Sequence, residues 1–114
     1  MNQETDHPIE ISVHETKKVM EGSEDAVLVD CREQDEWDTA KIEGAILIPM
    51  SEITTRVSDL EPHKGKRVIV HCHLGGRSLR VTHWLRKQGF SQSQNMTGGI
   101  DAWSQEIDSS VPRY

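Results

Sequence analysis

Cys72 lies at the end of an apolar run and directly before a glycine-containing segment, in the stretch VIVHCHLGGRS. Gly75 and Gly76 can take the positive φ that a tightly curled loop requires, so we predict such a loop over residues 72–77. In a loop of this kind, successive backbone N–H groups point inward and can surround an anion. The stretch therefore predicts a nucleophilic cysteine, because these donors favour the thiolate, which is the form that attacks.

The residues that flank the loop favour the same chemistry. Ser78 is predicted to cap the helix that follows, and the positive N-terminal end of that helix would lie against the Cys72 sulfur. His71, His73 and Arg77 would add positive charge if their side chains turned toward the sulfur. The expected result is a thiolate held by backbone N–H groups, which could also hold a negatively charged adduct on that sulfur.

Two other roles for Cys72 are compatible with its residue type. A free cysteine is one of the most buried residue types, so a structural thiol in the core is an alternative. Metal binding would have to use His71, Cys72 and His73, but consecutive residues do not easily converge on one ion. We therefore predict a site without a metal and without a cofactor.

The composition is typical of one small domain. A chain of 114 residues is long enough to bury a single core. No stretch approaches the roughly 18 consecutive apolar residues of a membrane span. The first ten residues, MNQETDHPIE, are polar and acidic, unlike a signal peptide. We expect a flexible segment over residues 1–7, one domain over residues 8–114 and a cytoplasmic location.

Charge is distributed unevenly along the chain. The formal net charge of −6 argues against a nucleic acid or a membrane as the partner. Residues 62–90, however, contain seven Lys or Arg and no Asp or Glu, and Cys72 lies among them. A basic segment around a candidate nucleophile indicates a small anionic substrate, although a solvated basic helix would explain the same charges.

Short apolar runs alternate with amphipathic stretches, and this order predicts the elements that position the loop. Strands are expected over residues 9–12, 26–30, 45–48, 68–71 and 92–96, and helices over residues 13–21, 32–39, 51–60 and 78–88. Strands that alternate with helices favour a mainly parallel sheet with helices on both faces. The working site of such a sheet lies beyond the carboxyl ends of its strands, which is where Asp30, Cys31 and Cys72 are predicted.

Four stretches, in this order, resemble the successive signatures of the rhodanese (sulfurtransferase) domain family: LVDCREQDEW, KIEGAILIP, VIVHCHLGGRS and MTGGIDAW. The resemblance implies a rhodanese-like α/β fold with a five-stranded, mainly parallel sheet. It also implies a cysteine that takes sulfane sulfur from a small anionic donor such as thiosulfate. The resulting persulfide then gives its sulfur to a thiophilic acceptor, which in a cell is a thiol or a sulfur-carrier protein.

Site residues follow from the resemblance position by position. Cys72 matches the persulfide-bearing nucleophile, and Asp30 and Arg32 match supporting acidic and basic positions at the end of the second strand. Gly98, Gly99 and Trp103 match the closing glycine–tryptophan motif. The residues that match the anion-binding loop are His73, Leu74, Gly75, Gly76, Arg77 and Ser78.

The resemblance leaves some questions of function open. Cys31 stands where the family often has an aliphatic residue, so it is either a small core residue or a thiol that resolves an oxidised Cys72. A non-catalytic protein-binding module is an alternative function, although such modules commonly lack the cysteine. A cysteine-dependent phosphatase is disfavoured, because four residues separate Cys72 from Arg77 where related phosphatases have five. The closing DSSVPRY resembles the tails of rhodanese domains fused to enzymes that activate ubiquitin-like proteins.

Overall fold

A five-stranded parallel sheet forms the centre of the protein in a computed structural model that describes residues 7–114. The predicted alternation of strands and helices is confirmed. The elements are β1 (Glu10–Ile11), α1 (Val13–Glu21), β2 (Ala26–Asp30), α2 (Gln34–Thr39), β3 (Ile46–Leu47), α3 (Ile53–Arg56), β4 (Arg67–His71), α4 (Gly76–Lys87), β5 (Ser93–Met96) and α5 (Gly99–Glu106). The strand order is β1-β5-β4-β2-β3, and every pairing is parallel.

Both faces of the sheet are covered, which explains why β2 and β4 are apolar almost without interruption. Alternate residues of each strand enter two separate core clusters. On one face, Val29 and Val70 pack with Leu85 of α4. On the other face, Leu28 and Ile69 pack in a cluster with residues of α1 and α5. The predicted fold class, α/β with helices on both faces, is therefore confirmed.

Pairing between β2 and β4 sets the position of the site. Their register runs from Ala26 opposite Arg67 to Asp30 opposite His71, so the two strands end at the same edge. The backbone N–H of Cys31 continues the pairing by donating to the carbonyl of His71 at 3.0 Å. The two cysteines therefore follow neighbouring strands at the same level of the sheet.

Two helix predictions require correction. The single helix expected over residues 51–60 is broken into a 3-10 turn (Met50–Glu52), the short α3 and a second 3-10 segment (Val57–His63). Adjacent β-branched threonines and a proline at position 62 weaken α-helix formation there. The last predicted helix begins at Gly76, two residues earlier than expected, because Gly75 occupies its N-cap.

The flexible segment predicted over residues 1–7 lies outside the described residues except for His7. The His7 ring is hydrogen-bonded to the Gln92 side chain at 3.0 Å. Within residues 7–114, no helix has the length and apolar character that crossing a membrane requires.

Candidate active site

Cys72 is the first residue after β4, and its sulfur faces the N-terminal end of α4. The Gly75 N–H donates to Cys72 Sγ at 3.1 Å, and the Ser78 N–H donates to it at 3.4 Å. Both groups belong to the loop or to the first turn of a 12-residue helix, so the helix dipole acts on the same atom. The structure thus brings together the backbone donors that the sequence predicted around this sulfur.

Gly75 supplies the sharp turn of the loop. Its φ is +114°, a left-handed conformation that residues with a side chain rarely adopt. The expectation that Gly76 would also take a positive φ is wrong, because Gly76 already has the helical geometry of the first residue of α4. One left-handed glycine is enough to turn the Gly75 N–H toward Cys72.

Ser78 is not the helix cap that the sequence predicted. It lies inside the first turn of α4 and is fully buried. Its hydroxyl is 3.3 Å from Cys72 Sγ and donates to Oδ1 of Asn95, a β5 residue that sequence reasoning missed. Ser78 therefore contacts the sulfur directly, through its side chain as well as through its N–H.

The outer side of the loop is fixed by α5. The Ile100 N–H donates to the Cys72 carbonyl at 2.9 Å, and the Asp101 N–H donates to the His73 carbonyl at 3.1 Å. Gly99 permits this approach, because a Cβ on it would lie 2.4 Å from the His73 oxygen and 2.5 Å from the Cys72 oxygen. Gly99 of the MTGGIDAW stretch therefore allows the start of α5 to hold the loop through these two carbonyls.

Arg77 forms an ion pair with a carboxylate on α2. Its Nη1 and Nη2 donate to the two carboxylate oxygens of Glu36 at 2.7 and 2.9 Å. This pairing raises the pKa of Arg77 and lowers the pKa of Glu36 to about 2. The guanidinium therefore binds Glu36 rather than turning toward the sulfur, which is contacted instead by the Gly75 N–H and by the N–H and hydroxyl of Ser78.

Asp30 and Arg32 form a fully buried ion pair beside the loop. Arg32 donates from Nη2 to Asp30 Oδ2 at 2.7 Å and from Nε to Asp30 Oδ1 at 2.9 Å, and both side chains are 0% exposed. The remaining Arg32 donors reach the Ala40 carbonyl at 2.6 Å and the Tyr114 hydroxyl at 2.9 Å. This pair holds the end of α2 and the tail in place.

Tyr114 closes one side of the site, although no role was predicted for it from the sequence. Its hydroxyl donates to Glu36 Oε2 at 2.8 Å, and its ring stacks on His73 with centroids 4.1 Å apart. Glu36 stands in the quoted LVDCREQDEW stretch, and Tyr114 ends DSSVPRY, but neither stretch indicates that the two side chains meet. Only the long-range packing of the tail against α2 brings them together.

Other predicted residues take different positions. Leu74 is 63% exposed at the tip of the loop. His71 points away into the interior, where burial lowers its pKa and leaves the ring neutral near Asp30. Within residues 7–114, no group of three or more His, Cys, Asp or Glu side chains is placed to hold a metal ion.

Cys31 lies in the same core cluster as Cys72 and is 0% exposed. Burial raises the pKa of its thiol, and the nearby Cys72 raises it further. A buried thiol with a raised pKa is a poor nucleophile, which favours the core-residue interpretation. A resolving role for Cys31 stays a prediction.

The fold and the site together define an α/β domain with a cysteine-bearing loop at the carboxyl edge of a parallel sheet. The family pattern of the Rhodanese-like domain matches residues 12–106, and the chain belongs to that family.

Similar proteins agree with this assignment. A protein called Sulfurtransferase from Allochromatium vinosum is 33% identical over 95 residues, covering 83% of this chain and 87% of that protein. A rhodanese-like domain protein from Staphylococcus aureus has a solved structure with a TM-score of 0.79 and 27% identity, covering 94% of this chain and 99% of that one. The first of these two proteins is named for sulfur transfer, and this chain covers most of its length.

Some relatives are much longer than this chain. Rhodanese-like/PpiC domain-containing protein 12, chloroplastic, of Arabidopsis thaliana is 39% identical over 95 residues, covering 80% of this chain but only 31% of that protein. The Zea mays protein called Adenylyltransferase and sulfurtransferase MOCS3-2 is 30% identical over 109 residues, covering 91% of this chain but 23% of that protein. The chain thus spans a third or less of these two relatives.

Replacing Gly99 by alanine will disrupt the loop. The added Cβ would lie less than 3 Å from two backbone oxygens, and these atoms cannot move without displacing the loop. The φ of Gly99, +61°, is also a value that alanine rarely adopts. We expect a loss of about 2 kcal/mol or more in the free energy of unfolding, measured by urea denaturation. Gly76→Ala is the control, since its Cβ would meet no atom within 4 Å. Equal stabilities for the two variants would contradict the supporting role of Gly99.

Replacing Glu36 by glutamine will remove a pH-dependent contribution to stability. The pKa of this carboxyl is about 2 in the folded protein and 4.5 without its partner. The ionised form therefore stabilises the fold above pH 4.5, and this contribution is lost as the pH falls toward 2.

The pair is partly exposed, so we expect Glu36→Gln to cost about 1 kcal/mol at neutral pH and progressively less in acid. Thermal unfolding across this pH range measures the difference. Glu52→Gln, which removes an exposed i,i+4 pair with Arg56, is the matched control and should change stability little. A Glu36→Gln deficit that stays constant with pH would contradict the assignment.

Proposed function

We propose that the chain is a sulfurtransferase that moves sulfane sulfur from an anionic donor such as thiosulfate to a thiophilic acceptor through a persulfide on Cys72. The observation that carries this proposal is the set of backbone donors on Cys72 Sγ from Gly75 and Ser78. These groups stabilise negative charge on the attacking sulfur and on a sulfur bound to it. Membership of the rhodanese-like family supports the same chemistry.

The reaction consists of two half-reactions. The Cys72 thiolate attacks the outer sulfur of thiosulfate, the S–S bond breaks, and sulfite leaves with the electron pair. A nucleophilic acceptor then attacks the outer sulfur of the persulfide, and Cys72 leaves as the thiolate. One covalent intermediate shared by two half-reactions predicts ping-pong kinetics.

A thiol or a sulfur-carrier protein is the acceptor that we propose for the cell. A relative from Bacillus subtilis carries the name Putative sulfur carrier protein YrkF and is 30% identical over 95 residues, covering 83% of this chain and 50% of that protein. The maize relative described above is named as an adenylyltransferase as well as a sulfurtransferase. The cytoplasm is the proposed compartment, because both cysteines are free and a reducing compartment keeps thiols in that state.

A non-catalytic binding module is the second candidate, because Cys72 is only 1% exposed. A phosphatase is less well supported, since Glu36 pairs with Arg77 and neutralises the charge that would attract a phosphate group. Alkylation distinguishes the binding module from the sulfurtransferase, because a Cys72 that resists alkylation in the folded protein would be a structural thiol.

Intact mass after incubation with thiosulfate, and again after cyanide, tests the proposal. We expect a gain of one sulfur atom, mapped to Cys72, that cyanide removes. Cys72→Ser should show no gain while keeping the fold. Cys31→Ser is the matched control and should load sulfur like the wild type, because its thiol is buried and only weakly ionised. Sulfur on the Cys72→Ser variant would overturn the assignment, and its absence from the wild type would exclude thiosulfate as the donor.

A further inference from the structure

The Ser78 hydroxyl has one proton and three acceptors within reach. Its oxygen lies 3.3 Å from Cys72 Sγ and 3.3 Å from the Gly75 carbonyl, and it is hydrogen-bonded to Asn95 Oδ1. A hydroxyl donates only one hydrogen bond at a time. Whether Ser78 donates to the Cys72 sulfur or accepts from it therefore depends on where this proton is held.

Asn95 presents an acceptor to Ser78 because Glu10 fixes the orientation of its amide. Asn95 Nδ2 donates to both carboxylate oxygens of Glu10, at 2.9 and 3.2 Å. An ionised carboxylate only accepts hydrogen bonds, so the amide nitrogen must face Glu10 and the amide oxygen must face Ser78. Thr97 holds the same carboxylate by donating from Oγ1 to Glu10 Oε1 at 2.6 Å.

We propose that Asn95, oriented by Glu10, is a positioning residue that keeps the Ser78 proton away from Cys72 and so favours the protonated thiol. While the Ser78 hydroxyl donates its hydrogen bond to Asn95 Oδ1, its oxygen is free to accept a hydrogen bond from the S–H of Cys72. After ionisation, Ser78 can donate to the thiolate only by giving up its bond to Asn95. The chain Glu10–Asn95–Ser78 therefore moderates the reactivity of the sulfur, which the proposed function takes as the nucleophile.

The burial of Asn95 makes this arrangement specific. Asn95 is 2% exposed, and its backbone N–H donates to the Ile9 carbonyl at 2.7 Å, so its position beside Ser78 is fixed. Glu10, in contrast, is an exposed residue on the edge strand β1. The orientation of a buried hydroxyl next to the sulfur is thus set by a carboxylate at the surface.

Other ionisable groups also act on the site around Cys72. Arg77 and Cys31 interact electrostatically with it from α4 and from the end of β2. Glu36 neutralises Arg77, Asp30 is paired with Arg32, and the His73 ring is stacked on Tyr114. None of these groups changes in the variants below, so a difference between those variants reports on the Asn95 chain.

The first test is the pH dependence of Cys72 ionisation in Asn95→Leu, whose new side chain is similar in size but accepts no hydrogen bond. Two measurements report the ionisation of Cys72. One is the rate of alkylation mapped to Cys72, and the other is the ultraviolet absorbance of its thiolate after the Cys72→Ser signal is subtracted. We expect the midpoint to move to lower pH by about one unit, because the freed hydroxyl donates to the thiolate.

Gln94→Leu is the matched control. Gln94 is a buried amide in the same strand, it points to the other face, and its partners are Arg67 and the Pro8 carbonyl. Its replacement should leave the midpoint unchanged. An unchanged midpoint in folded Asn95→Leu would overturn the proposal.

Glu10→Gln tests the same hydrogen bonds between Glu10, Asn95 and Ser78, and it does so at the surface, where a substitution affects the fold little. A glutamine can donate as well as accept, so the Asn95 amide becomes free to turn over and present its NH₂ group to Ser78. We expect a smaller shift in the same direction.

Repeating both substitutions in a Ser78→Ala background shows whether their effect on Cys72 passes through the Ser78 hydroxyl. The shifts should disappear there, because the effect passes through the hydroxyl. Shifts that persist without Ser78 would show a through-space charge or packing effect and would refute the proposal. Since ionisation is measured without a sulfur donor, a failure of sulfur loading would count against the proposed function and leave this result standing.

Discussion

The orientation of the peptide groups around Cys72 is the constraint on which the site depends. Carbonyls of Cys72 and His73 point outward and accept from the first N–H groups of α5, while the Gly75 N–H points inward to the sulfur. Both directions follow from one tight turn with a left-handed glycine. The N–H groups that contact the Cys72 sulfur therefore belong to the backbone, and the helices that flank the loop keep that backbone in place.

Side-chain charges near the site are largely paired with one another. Asp30 with Arg32 and Glu36 with Arg77 form two ion pairs on one side of the loop, and the Tyr114 hydroxyl bonds to one member of each. This pairing makes the site less cationic than the basic composition of residues 62–90 indicates. The groups that contact the sulfur are then mainly backbone dipoles, and the paired side chains hold α2 and the tail beside the loop.

Most of the fold was predictable because its signals are local. Continuous apolar runs identified the buried strands, and β2 agrees with its prediction at both ends. Cys72 and the glycine-rich loop were likewise predictable, since chemical type and spacing are sequence properties. Predictions failed where two neighbouring residues could each begin the helix. Ser78 has the residue type of a cap, but Gly75 takes the left-handed conformation and caps the helix, which therefore begins at Gly76.

The sequence by itself predicted Cys72 as the candidate nucleophile, the glycine turn beside it and the parallel sheet that places it at a strand end. Tertiary structure alone decided what surrounds the loop. Glu36 meets Arg77 across 41 positions, Tyr114 meets Glu36 across 78, and Asn95 meets Glu10 across 85. Contacts of this kind depend on how separate elements pack, and hydrogen bonds between distant side chains leave no periodicity or spacing in a single sequence.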